Sequence, residues 1–115
     1  TGIWPIMHFF AIRREVFEAN RWIARNLYKA FEEAKNRAMA AALEIVASRL
    51  PFAWCYESAA NAREVFGEDF FPYGIEPNRK TLEAFLLYTY EQGLAHRHLE
   101  VEDLFPPELH SEFRV

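Results

Sequence analysis

The sequence predicts a mainly α-helical chain with one N-terminal β-strand, and three observations carry that expectation. Residues 6–12, Ile-Met-His-Phe-Phe-Ala-Ile, form an almost uninterrupted apolar run after Pro5, the pattern of a strand buried on both faces. From Asn20 to about Ala47 apolar residues recur at helical spacing. They do so again between Asn78 and Gln92, a stretch that runs from a capping residue to Gly93.

The strand at about 6–12 sets a demand on its surroundings. Each buried N–H or C=O group left without a partner costs about 1–3 kcal/mol, and no second strand can be read in the chain. Its sheet must come from other parts of a longer polypeptide or from a second copy. Both options predict association, so self-association is expected of the chain by itself. After Arg13-Arg14 a short helical segment, Glu15 to Ala19, leads to Asn20 as cap of a long helix at about 20–47. Ile23, Leu27, Ala30, Phe31, Ala34, Ala38, Ala42 and Ile45 fall along one face of it. Lys29, Glu32, Glu33, Lys35 and Arg37 fall largely on the other. Pro51 interrupts the pattern, and 54–66 reads as a further helix closed by Gly67. A third long helix is expected at 79–92 with Gly93 as its left-handed cap. Beyond it, Val101 to Phe105 and Pro106-Pro107 read as a helical turn or extended tail packed by Leu104, Phe105, Leu109 and Phe113.

Composition bounds the rest. The chain has 115 residues, half of them apolar and 17% aromatic, with eleven Phe, five Tyr and three Trp. Such a surplus of rings exceeds what one small unit readily hides. Residues 1–115 read as a single unit. Because the chain opens Thr-Gly-Ile and Trp4-Pro5 already reads as the interior of a fold, that unit is expected to be a piece of something longer. A net charge of −4 without a basic block argues against nucleic-acid or acidic-membrane partners. No run of 18 apolar residues occurs, so no membrane span is expected.

Most of the functional information lies in Gly67 to Phe85. Pro72, Gly74 and Pro77 set the turns of an aromatic loop, and Asn78 caps a helix whose first turn holds Arg79 and Lys80. The helix dipole favours acidic residues there by about 0.3–1 kcal/mol each. Either both cations face water, or they and the helix start hold a carboxylate or phosphate.

Other chemistry is sparse. Cys55 is the single cysteine, which excludes an internal disulfide and reads as a packed small residue. Glu68-Asp69 reads as loop solvation and capping. His96, His98 and His110 lack metal-ligand spacing, and no metal is expected. His8 interrupts the apolar run and must find a hydrogen-bond partner or face a cavity. No nucleophile elbow, Ser-x-x-Lys or phosphate loop occurs.

Gly-Ile-Trp-Pro-Ile-Met-His at 2–8, the whole stretch 67–85, and Tyr-Glu-Gln-Gly-Leu at 90–94 resemble the C-terminal part of the 4,5-dihydroxyphthalate decarboxylase family. The stretch 67–94 is the specific part of the likeness. The resemblance implies the C-terminal part of an α/β two-lobed fold of the type 2 periplasmic-binding-protein kind. It also implies a carbon–carbon lyase that takes an aromatic ortho-dicarboxylate, 4,5-dihydroxyphthalate, to 3,4-dihydroxybenzoate and carbon dioxide, with no cofactor and a cytoplasmic setting. On that reading His8 donates the proton, Arg79 and Asn78 hold the retained carboxylate, and Tyr73 stacks on or hydrogen-bonds the ring. Arg79 leads these candidates, and a part of one lobe is expected to be inactive alone. A small-molecule receptor or sensor of the same fold, without catalysis, is the alternative. A relative acting on thiamine precursors is a third.

Overall fold

The computed structural model describes residues 2–47 and 49–110. Four α-helices occur among them: α1 at Arg14–Ala19, α2 at Trp22–Ala42, α3 at Cys55–Phe66 and α4 at Arg79–Glu91. Three 3₁₀ turns, at Glu76–Asn78, Val101–Leu104 and Pro107–Leu109, complete the regular structure.

No strand is found among the described residues, which overturns the expected N-terminal β-strand and, with it, the α/β two-lobed architecture that the resemblance implies. Residues 2–13 carry no regular structure. The physical reason lies in burial. A strand buried on both faces would hide this run, yet Met7 is 79% and Phe10 74% exposed, and Ile6 is the residue of the run that packs on the core. A continuous apolar run specifies a strand only where neighbouring strands supply a ladder.

The chain divides into two compact units, Thr1–Leu27 with Tyr73–Val115, and Tyr28–Pro72. In the first, Leu82 and Leu86 stand one helical turn apart on α4 and bury with Ile75 and Val101, while Ile6, Leu99 and Phe105 pack at the margin. The N-terminal segment is tied to α4 where the Trp4 amide donates to Thr81 Oγ1 at 3.2 Å. The C-terminal turns are held from the residue before α2, where Arg21 Nη1 donates to Glu108 Oε1 at 3.0 Å, and from its first turn, where Arg25 Nε donates to the Glu108 carbonyl at 3.4 Å. Of the tail residues expected to pack, Phe105 and Leu109 are half-buried and Leu104 is exposed; Phe113 lies outside the described residues. Val101 is the tail residue in the core.

Helix α4 ends in a Schellman motif. Gly93 has φ +72, its amide donates to the Tyr90 carbonyl at 3.0 Å, and the Leu94 amide reaches back to Thr89 at 2.9 Å.

In the second unit α2 stops at Ala42, short of Ala47, and Ile45 is 68% exposed beyond its end. Along this helix Ala30, Ala34 and Ala38 are exposed, whereas Lys35 is buried. Its Nζ donates to Glu32 Oε1 and to Asp69 Oδ2, each at 2.7 Å. Helix α3 buries Ala59 and starts after Trp54, whose φ of +63 is left-handed.

Candidate anion site

The loop expected to carry function is built from its own polar groups. Asp69 Oδ1 accepts the Phe71 amide at 3.2 Å, a local turn that Asp side chains favour, while its other oxygen takes the Lys35 ammonium. Asp69 therefore anchors the loop more firmly than solvation and capping alone would.

At the start of α4 the Asn78 amide does not cap the helix. Its Nδ2 donates backward to the Gly74 carbonyl at 2.9 Å. The side chain thus closes the turn after Tyr73, and the Arg79 amide at the start of α4 donates to the Glu76 carbonyl. Asn78 and Arg79 are half-buried, as is Tyr73.

Arg79 is the electrostatic centre. Glu76, three residues back, takes Nε and Nη2 together in a fork, and Glu102 Oε1 takes Nη2 from the facing 3₁₀ turn at 2.7 Å. One cation thus meets two carboxylates. The hydrogen bond to Glu76, followed by that to Glu102, holds the guanidinium above its ordinary range. In return, the bonds from Arg79 hold both carboxyls below the usual carboxylate range, against mutual repulsion felt at Glu76.

His8 is exposed on the N-terminal segment. Its neighbour Phe9 meets Phe105 with ring centroids 6.2 Å apart. Asn78 Nδ2 reaches the Gly74 carbonyl beside Tyr73, Arg79 pairs with Glu76 and Glu102, and His8 lies on the N-terminal segment that the Trp4 amide ties to Thr81. Glu76 and Glu102 were missed. The i,i+3 spacing of Glu76 to Arg79 was a readable signal, whereas nothing local marks Glu102.

A shallow groove of about 300 Å³ is lined by Leu86, Leu99 and Val101 together with Glu83, His98 and Glu100. His98 Nδ1 lies 3.8 Å from Glu100 Oε1, and the imidazole stands edge-on to Tyr90 at 5.7 Å. Two carboxylates at its margin make it a poor place for a dianion. Among the described residues no three His, Cys, Asp or Glu side chains are grouped to hold a metal. No helix among them is long and apolar enough to cross a membrane.

No protein-family model matches the chain. Against curated proteins, it is 30% identical over 113 residues to the 4,5-dihydroxyphthalate decarboxylase of Comamonas testosteroni, a match covering 98% of this chain and 34% of that enzyme. The chain therefore spans about a third of the length of the curated relative it matches. This identity supports relatedness at the level of the family.

Proposed function

We propose that this chain is part of a decarboxylase that converts 4,5-dihydroxyphthalate to 3,4-dihydroxybenzoate and carbon dioxide, and that it is inactive by itself. The observation that carries the reading is the identity along nearly all of this chain to an enzyme of that name.

The chemistry assigns tasks to the candidate residues. When the carbon–carbon bond to the leaving carboxylate breaks, its electron pair stays on the ring carbon, and a proton must arrive there as carbon dioxide departs. His8 is the proton donor in this reading. Arg79 and Asn78 hold the carboxylate that remains, and Tyr73 contacts the ring. An exposed imidazole needs enclosure to act this way, because water would otherwise compete for the proton and weaken every charge interaction at the ring. That enclosure falls to the parent polypeptide.

The test is formation of 3,4-dihydroxybenzoate from 4,5-dihydroxyphthalate by the full-length polypeptide carrying this sequence. His8→Ala is expected to lower kcat by about 100-fold or more with a smaller effect on KM, and Arg79→Gln to raise KM. Absence of product from the full-length protein overturns the proposal. Turnover by the 115-residue chain alone overturns the claim that it is inactive by itself.

A further inference from the structure

We infer that Glu102 is a built-in competitor for the candidate anion site, occupying the part of the Arg79 guanidinium that an incoming substrate carboxylate would take. This rests on the proposed role of Arg79 and adds a regulatory contact to it.

The argument is one of edges. A guanidinium offers two forks to a carboxylate, a side-on fork from Nε with one N–H of Nη2, and an end-on fork from Nη1 with the other N–H of Nη2. Glu76 holds the side-on fork. Glu102 also bonds Nη2, which consumes the N–H belonging to the end-on fork. Neither ion pair uses Nη1. A substrate carboxylate can bind in the two-bond geometry only by displacing Glu102. Adding it without displacement would place a third anion on one cation.

The fold delivers Glu102 to this position. It sits in the 3₁₀ turn Val101–Leu104, whose Val101 is buried in the core and whose start is held where the Glu100 amide donates to Asp103 Oδ2 at 3.2 Å and the Asp103 amide to the Glu100 carbonyl at 3.0 Å. Glu102 itself has a half-solvated side chain, 46% exposed, so it can swing away without disturbing the core. Glu76 is local and doubly bonded, and it remains as the group that orients the guanidinium.

The experiment titrates phthalate, a dianionic aromatic probe, into the full-length polypeptide carrying this sequence at low salt, with affinity read by calorimetry and folding checked by circular dichroism. Glu102→Gln keeps the shape and removes the charge, and is expected to bind phthalate about two- to fivefold more tightly than the unmodified chain, the range of an exposed ion pair. Glu102→Asp, which retracts the carboxylate, is expected to fall between. Loss of binding in Arg79→Gln completes the support. Equal affinity in the unmodified chain and Glu102→Gln, with Arg79→Gln weaker, overturns the competitor and leaves the Arg79 reading standing. No binding by either form, or binding indifferent to Arg79→Gln, overturns both.

Discussion

Lys35 Nζ and Asp69 Oδ2 lie 2.7 Å apart, and the Lys35 side chain is only 4% exposed. A helix residue thereby pins the first residues of the aromatic loop across 34 positions of sequence. Burial pulls the ammonium down, but its hydrogen bonds to Asp69 and Glu32 more than reverse this, and Lys35 is held above its ordinary value of 10.5.

Lys35→Met is therefore expected to be among the costliest substitutions in residues 28–72. It leaves Glu32 and Asp69 facing each other without a cation, and removal of one partner from a buried ion pair is strongly destabilising. With Asp69 46% exposed, water repairs part of the loss, so the expected cost is about 1–3 kcal/mol. Because the folded pKa of Lys35 is raised, its contribution is full below pH 10.5 and is lost as pH rises through the higher folded value. Urea unfolding should show a constant gap between the two proteins from about pH 7 to 10, narrowing above that. A gap already closing near neutrality would contradict the assignment. Adding Glu32→Gln and Asp69→Asn to Lys35→Met should recover part of the stability.

The Arg79 cluster governs the acid side. Bonds from Arg79 hold Glu76 and Glu102 below their ordinary value of 4.5, so the stability they contribute is present above that pH and lost as pH falls through their folded values. Arg79→Gln removes the cause of both shifts. Its unfolding free energy is expected to fall less steeply than that of the unmodified chain as the solution is acidified below pH 4.5. About 1 M salt should shrink the difference, since these are partly exposed charges. An acid limb unchanged by Arg79→Gln would place the titrating carboxylates elsewhere.

What could be read from the sequence was what local chemistry decides. Asn78 does stand before the helix that begins at Arg79, and Gly93 and Gly67 do close α4 and α3 with positive φ, because a left-handed position selects glycine wherever the helix occurs. The errors arose where tertiary partners decide. Ile6 to Ile12 carries strand-like side chains, but apolar character does not create a ladder, and most of the run stays exposed. Lys35 reads as a solvent-facing charge from its type, and only Asp69, distant in sequence, explains its burial. Helix α2 ends at Ala42 with no Gly or Pro to announce it. In the candidate site Arg79 was legible as the residue to watch, while the Glu102 carboxylate that occupies it comes from a turn 23 residues away.

The Trp4–Thr81 hydrogen bond gives the N-terminal segment a specific anchor on α4. Thr81 is 8% exposed, and its Oγ1 accepts the Trp4 amide. Thr81→Val keeps the side-chain shape and removes the acceptor, at an expected cost of about 1 kcal/mol. Hydrogen exchange at the Trp4 amide should accelerate while amides within α4 keep their protection. Uniform loss of protection along α4 would show instead that Thr81 supports the helix.

Trp54 is the non-glycine residue with positive φ among those described, at +63. A left-handed conformation costs an L-residue about 1–2 kcal/mol, and a bulky side chain gains nothing locally to offset it. Its indole is 74% exposed, so little packing is lost on removing it. Its carbonyl accepts the Ser58 amide at 2.9 Å and opens α3, a bond that needs only the backbone. Glycine meets the same φ without strain, although it gives the unfolded chain more freedom, which takes back part of the gain. Trp54→Gly is therefore expected to raise the unfolding free energy by up to about 1 kcal/mol. The check is the urea midpoint at unchanged slope, since a change in slope would point to altered compactness. A clear drop in midpoint would mean that the indole makes a stabilising contact that outweighs the strain.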